Sequence, residues 1–80
     1  MAQAYVLVNC DLGAEENVIN ELKQLDQVKE VHGTFGAYDI IATIDADSTD
    51  KLREAVTWKI RKMSNIRSTL TLMVVEGQGE

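Results

Sequence analysis

The sequence predicts an α+β fold of the ferredoxin-like type, a four-stranded antiparallel sheet with two helices packed on one face. Three observations carry this. The hydrophobic pattern switches between the strand period and the helical period of about 3.6 residues in the order β-α-β-β-α-β. The two halves form a degenerate repeat: Ala4-Tyr5-Val6-Leu7-Val8 aligns with Ala37-Tyr38-Asp39-Ile40-Ile41, and the Val28 approach to strand two echoes the Ile66 approach to strand four. Two split β-α-β units with right-handed crossovers then interleave into the strand order 4-1-3-2.

Each element has its own local reason. Ala4 through Cys10 is apolar on both alternating sets, as in a central strand covered on both sides. Gly13 ends it. Glu15 and Glu16 place acids in the first turn of a helix whose apolar positions Val18, Ile19, Leu22 and Leu25 keep the helical period, ending near Asp26-Gln27. Val28 through Phe35 forms strand two, Gly36-Ala37 a turn, and Tyr38 through Ile44 strand three, so this pair is a hairpin. Asp47, Ser48 and Asp50 offer capping oxygens to a second helix with Leu52, Ala55, Val56, Ile60 and Met63 on one stripe, ending near Asn65. Ser68 through Val75 is strand four, and Gly77 and Gly79 mark a loose tail. Strands one, three and four carry apolar residues on both alternations, including Leu70/Leu72/Val74 and Thr71/Met73/Val75, so a partner sheet is expected over the helix-free face.

Size and charge narrow the function. Eighty residues make one domain, spanning 1–80, and a chain this short buries only roughly 60% of its unfolded surface. A single cysteine and no spaced Cys/His set exclude an internal disulfide and a structural zinc, which leaves self-association as the means of extra burial. A hydrophobic content of 45% with 26% charged residues rules out intrinsic disorder. The net charge of −5 lacks the positive footprint that duplex binding requires. The apolar runs Ala4–Val8 and Leu72–Val75 are too short to span a bilayer, and no basic leader precedes strand one, so a cytoplasmic protein is expected. Cys10 fits as a small core filler.

Most chemistries hosted by this fold class are missing. A metallochaperone needs Cys-x-x-Cys after strand one, where this chain has Cys10-Asp11-Leu12-Gly13. An RNA-binding sheet needs exposed aromatics in a basic surround, and a phosphate-cradling loop would not carry Asp11, Glu15 and Glu16. No cofactor or metal is expected. His32 sits mid-strand with no nucleophile to serve. Trp58 is expected to pack at a helix–sheet or subunit contact. Lys51, Arg53, Lys59, Arg61 and Lys62 form a solvated basic face that complements the helix dipole.

The informative segment is Gly33-Thr34-Phe35-Gly36-Ala37-Tyr38-Asp39. Its glycines expose backbone amides to close approach by a carboxylate. The repeat aligns Asp39 with Val6, placing a carboxylate at a core-type position where burial is costly unless it is paired. Two readings stand side by side: Asp39 caps its own hairpin turn, or it faces a ligand. Topology puts Asp39 and the Thr69 and Thr71 hydroxyls at one sheet edge, about two strand spacings or roughly 10 Å apart. A zwitterion of amino-acid size could bridge them, or a second subunit could supply the missing wall.

Gly36-Ala37-Tyr38-Asp39-Ile40-Ile41, Val28-Lys29-Glu30-Val31-His32 and Asn65-Ile66-Arg67-Ser68-Thr69-Leu70-Thr71-Leu72 together resemble the effector (RAM) domain of the Lrp/AsnC feast/famine regulators, over the whole chain. The family pattern is a valine-rich approach to strand two, a Gly-x-Tyr/Phe-Asp turn and a Val-x-x-Thr-x-Thr entry to strand four. The resemblance implies dimers through the open sheet faces, rings of dimers, and free amino acids bound in clefts between dimers. By matching position, it implies Gly36, Tyr38 and Asp39 on the hairpin side of an effector site, with Thr69 and Thr71 on the strand-four side. Two departures stand out. The family's helix-turn-helix is missing ahead of strand one, as in stand-alone versions of the domain, and Asn65 occupies a place where glycine is common.

The leading expectation is a non-enzymatic amino-acid sensor that modulates a DNA-binding paralogue by mixed oligomerisation. A ligand-free oligomerisation module and a small dimeric plait enzyme using His32 and Trp58 are the alternatives. The charge balance and the missing recognition helix predict no affinity for duplex DNA at physiological salt. A salt-sensitive gel shift by the purified protein alone would overturn this.

Overall fold

Along the chain, β1 (Ala2–Cys10), α1 (Glu15–Lys23), β2 (Val28–Gly33), β3 (Ile40–Ala46), α2 (Thr49–Ala55) and β4 (Ile66–Met73) follow in the expected order, with a π-wound segment, Val56–Ile60, prolonging α2. The computed structural model describes residues 2–75, so the expected tail at Gly77 and Gly79 lies outside the described residues. The sheet runs β2-β3-β1-β4, fully antiparallel, which is the expected order read from its other edge.

Register divides the sheet into two faces. Val6 stands opposite Ala42 and Thr71, and Val8 opposite Ile40 and Thr69. These alternate residues point to the helices, where Val6, Val8, Ile40 and Ile44 pack with Val18, Leu22, Leu52 and Ile60, all fully buried. Each such aliphatic side chain contributes about 1.5–3 kcal/mol by leaving water. The other alternation pairs Tyr5 with Thr43 and Leu72, and Leu7 with Ile41 and Leu70. Among the described residues nothing covers that face, so they shield β1 on one side only.

The register corrects the repeat alignment. Matching Leu7 to Ile40 joins an open-face residue to a helix-face one, and a slip of one residue reverses every side chain. Asp39 therefore precedes the first buried residue of β3 and is not the counterpart of a core valine.

Element boundaries differ at three places. β2 ends at Gly33 and β3 begins at Ile40, so the expected two-residue turn is a loop over 34–39. Thr34 closes it, its N–H donating to the Asp39 carbonyl at 2.8 Å and its Oγ1 to the Tyr38 carbonyl at 2.6 Å. Gly36 adopts φ +154° in this loop, a conformation that side chains rarely take. α2 starts as expected, with the Ser48 hydroxyl accepting the Lys51 N–H at 3.2 Å. It does not continue as a regular α-helix, because the Arg61 N–H reaches back five residues to the Val56 carbonyl at 2.8 Å. β4 begins at Ile66, earlier than expected, since Ile66 still pairs with Cys10 past a bulge at Asn9/Cys10. It ends at Met73, although the Val74 N–H donates to the Gln3 carbonyl at 2.9 Å.

Asn65 turns the chain into β4 with φ +72°, and its carbonyl accepts the Asp11 N–H at 2.8 Å. Asparagine tolerates this left-handed conformation, while β-branched residues do not. Asn65→Gly should leave stability within about 0.5 kcal/mol, strain relief offsetting added unfolded-state freedom. Asn65→Val should cost about 1–2 kcal/mol in chemical denaturation.

Candidate functional site

The end of β1, the start of β3 and the start of β4 meet at one edge of the sheet, as the topology requires. There Asp39 is tied to β1 twice. Its N–H donates to the Val8 carbonyl at 3.0 Å, and its Oδ2 accepts the Cys10 N–H at 3.1 Å. The carboxylate thus continues the β1–β3 ladder after the main chain has turned away. The Asp39 side chain therefore binds the end of β1 and does not cap its own hairpin, which Thr34 closes. The Cys10 Sγ also lies 3.9 Å from the same oxygen. Burial first, then the Asp39, Glu15 and Asp11 carboxylates, push the Cys10 thiol above its ordinary range. Such a buried, electronegatively surrounded thiol is a poor nucleophile.

Gly36 is exposed and Tyr38 half-buried on the same loop, beside Phe35, whose ring is 107% exposed. Thr69 and Thr71 are half-buried on the helix side of β4, across β1 from Asp39. They line a groove of about 400 Å³ against α2 and the π-wound segment, with Arg53, Thr57 and Arg61. Within one chain, then, the hairpin residues sit together and the threonines sit together, with β1 between the two sets. Arg53 and Arg61 are exposed, as expected of a solvated basic face, and both border the groove, Arg53 from α2 and Arg61 from the end of the π-wound segment.

The remaining singled-out residues are peripheral. His32 lies on the open face with its Nε2 3.9 Å from the Glu30 carboxylate, both exposed. Trp58 does not pack between helix and sheet; it is 62% exposed, with the Lys62 Nζ 4.7 Å from its ring centre. It lies within the π-wound segment, where Val56 and Ile60 face the core and Trp58 faces outward. Among the described residues no group of three His, Cys, Asp or Glu side chains is placed to hold a metal, and no helix is long and apolar enough to cross a membrane.

Residues 3–77 match the family described as the Lrp/AsnC ligand binding domain. Homocitrate synthase of Saccharolobus islandicus is 32% identical over 75 residues, 92% of this chain but 16% of that enzyme. Regulatory protein AsnC of Escherichia coli K12 is 33% identical over 60 residues, 75% of this chain and 40% of the regulator. The chain thus spans a minor part of each. Among solved structures, FFRP-DM1 superposes with a TM-score of 0.91 at 33% identity, covering 94% of this chain and 100% of that one.

The Cys10 environment generates a pH signature. A thiol whose folded pKa is raised contributes stability that is complete below its unfolded value of 9.0 and is lost as pH rises toward the folded value. Melting temperature should therefore fall more steeply above pH 9.0 in the native sequence than in Cys10→Ala. Parallel profiles would contradict the assignment. Asp39→Ala, which strips the Cys10 N–H of its acceptor, should cost about 1–3 kcal/mol, and Asp39→Asn, which keeps an oxygen there, much less.

Proposed function

The chain belongs to the Lrp/AsnC ligand-binding domain family, and on that premise we propose that it is an oligomeric regulatory module that binds a free amino acid. It acts by binding and not by catalysis. The observation that carries the reading is the helix-free sheet face, where Tyr5 (44%), Leu70 (43%), Leu72 (48%) and Val74 (40%) stay exposed in the single chain. Lys29, Glu30 and Asp45 border the concave part of that face near Tyr5. An apolar centre with a charged rim is the anatomy of a protein interface. A second copy laying its own sheet there would bury on the order of 2,000 Å² or more.

The effector site is assigned to Gly36, Tyr38 and Asp39 together with Thr69 and Thr71. Because β1 separates these two sets within one chain, an amino acid meets both only where the hairpin of one subunit faces β4 of another. Among the described residues no cation lies within 4.0 Å of Asp39, so its carboxylate is available to an ammonium group. Dimers assembling into larger rings would create such clefts, and mixed assembly with a DNA-binding family member would carry the signal to a promoter. One observation favours a rival module that only oligomerises: the Asp39 carboxylate already accepts the Cys10 N–H.

Sedimentation at micromolar concentration should give a dimer or larger, and Leu72→Asp should shift it toward the 8.9 kDa monomer. A monomeric native protein would overturn the proposal. Calorimetric titration with the twenty amino acids should yield heat from one or a few, and Asp39→Ala should weaken that binding at least about thirtyfold, as loss of a charge-assisted contact does. Silence from all twenty would leave the oligomerisation module.

A further inference from the structure

The groove between β4 and the second helix joins Thr69 and Thr71, which the amino-acid reading uses, to arginines that it does not use. Its main compartment, about 400 Å³, combines the aliphatic side chains of Leu52, Val56 and Met73 with Arg53, Arg61 and the Thr69 and Thr71 hydroxyls. It is continuous through Arg61 and Thr69 with a polar compartment of about 340 Å³ that adds Arg67 and Ser68. The volume falls in the range of small-molecule sites, roughly 300–1,000 Å³. Three features mark the groove as built for an anion with an apolar tail. No aspartate or glutamate lines either compartment, in a chain with thirteen of them. Among the described residues, Arg53, Arg61 and Arg67 have no carboxylate within 4.0 Å, so their guanidinium groups carry no ionic partner. The turn that supplies Val56, Thr57 and Arg61 is π-wound, a departure that recurs at binding sites because it displaces side chains from a regular helical face.

We infer that this groove binds a small aliphatic monocarboxylate. Its carboxylate is held by Arg61 and Arg67 with the Thr69 hydroxyl, and its hydrocarbon chain lies against Met73 and the accessible edge of Val56. The planar guanidinium fork suits a carboxylate better than a point charge does. With no acidic side chain in the lining to pair an ammonium group, and with arginines beside it, the groove favours fatty and 2-oxo acids over amino acids. Every lining residue belongs to one chain, so the site is complete without a neighbouring subunit, unlike the cleft assigned to Asp39.

The test is calorimetric titration with sodium isovalerate, sodium acetate and inorganic phosphate at fixed ionic strength. It is run on the native protein, Arg61→Gln and Asp39→Asn, with thermal melts of each. The expected result is saturable isovalerate binding, at least about tenfold tighter than acetate or phosphate. Arg61→Gln should weaken it at least about tenfold, as loss of a charged hydrogen bond does, at unchanged melting temperature, while Asp39→Asn leaves it intact. Absence of isovalerate binding, equal binding of phosphate or acetate, or indifference to Arg61→Gln would overturn the inference. Amino-acid binding that is abolished by Asp39→Asn, with no isovalerate heat, would remove the groove site and leave the effector proposal standing. Isovalerate binding with silence from all amino acids would do the reverse.

Discussion

The structure depends on β1 being paired along both edges while it is apolar on both faces. β3 and β4 hydrogen-bond to it from either side, β2 joins through β3, and α2 packs across it. Both ties that order the site end of the sheet also converge there: the Asp39 carboxylate on Cys10 and the Asn65 carbonyl on Asp11. One face of β1 is satisfied by α1 and α2. The other carries Tyr5 and Leu7 against Leu70 and Leu72, and among the described residues no third layer covers it. The surplus apolar face follows from the same sequence feature that makes β1 central.

β4 is the element common to the two surfaces this arrangement leaves open. Its Leu70 and Leu72 point to the bare face, and its Thr69 and Thr71 point to the helix-side groove. The two surfaces therefore lie on opposite sides of the same strand, so that a partner sheet on one would leave the other free. Charge is divided in a related way. Lys51, Arg53, Lys59, Arg61, Lys62 and Arg67 make up six of the eight basic residues, so α2, its π-wound extension and the start of β4 form a positive region on an acidic protein. The groove thus lies in the most positive part of an acidic protein.

The fold was legible because its signals are local and redundant. Val18, Ile19 and Leu22 keep a helical period, the strands keep theirs, and Ser48 caps α2 as its residue type foretells. The unpartnered face was equally legible, since Leu70 and Leu72 alternate with Thr69 and Thr71 in plain sequence. What escaped the sequence was geometry set by tertiary context. The repeat alignment slipped by one residue because two apolar runs match in more than one register, and only pairing decides which face each side chain takes. The loop over 34–39 hid Thr34 as its closing residue. The π-turn after Ala55 was not legible either, since nothing in Val56-Thr57-Trp58-Lys59-Ile60 distinguishes a π-turn from an α-helical one. Asp39 was singled out for its charge beside a central strand, yet its bond to Cys10 is a tertiary fact.

The central claim is that the bare face of the sheet is stable only when covered by a second copy, so that folding and association are linked. The most direct test is the melting temperature as a function of protein concentration, from nanomolar to high micromolar. Linked association predicts a melting temperature that rises steadily with concentration by mass action. A melting temperature independent of concentration across that range, together with the mass of a single chain, would contradict it.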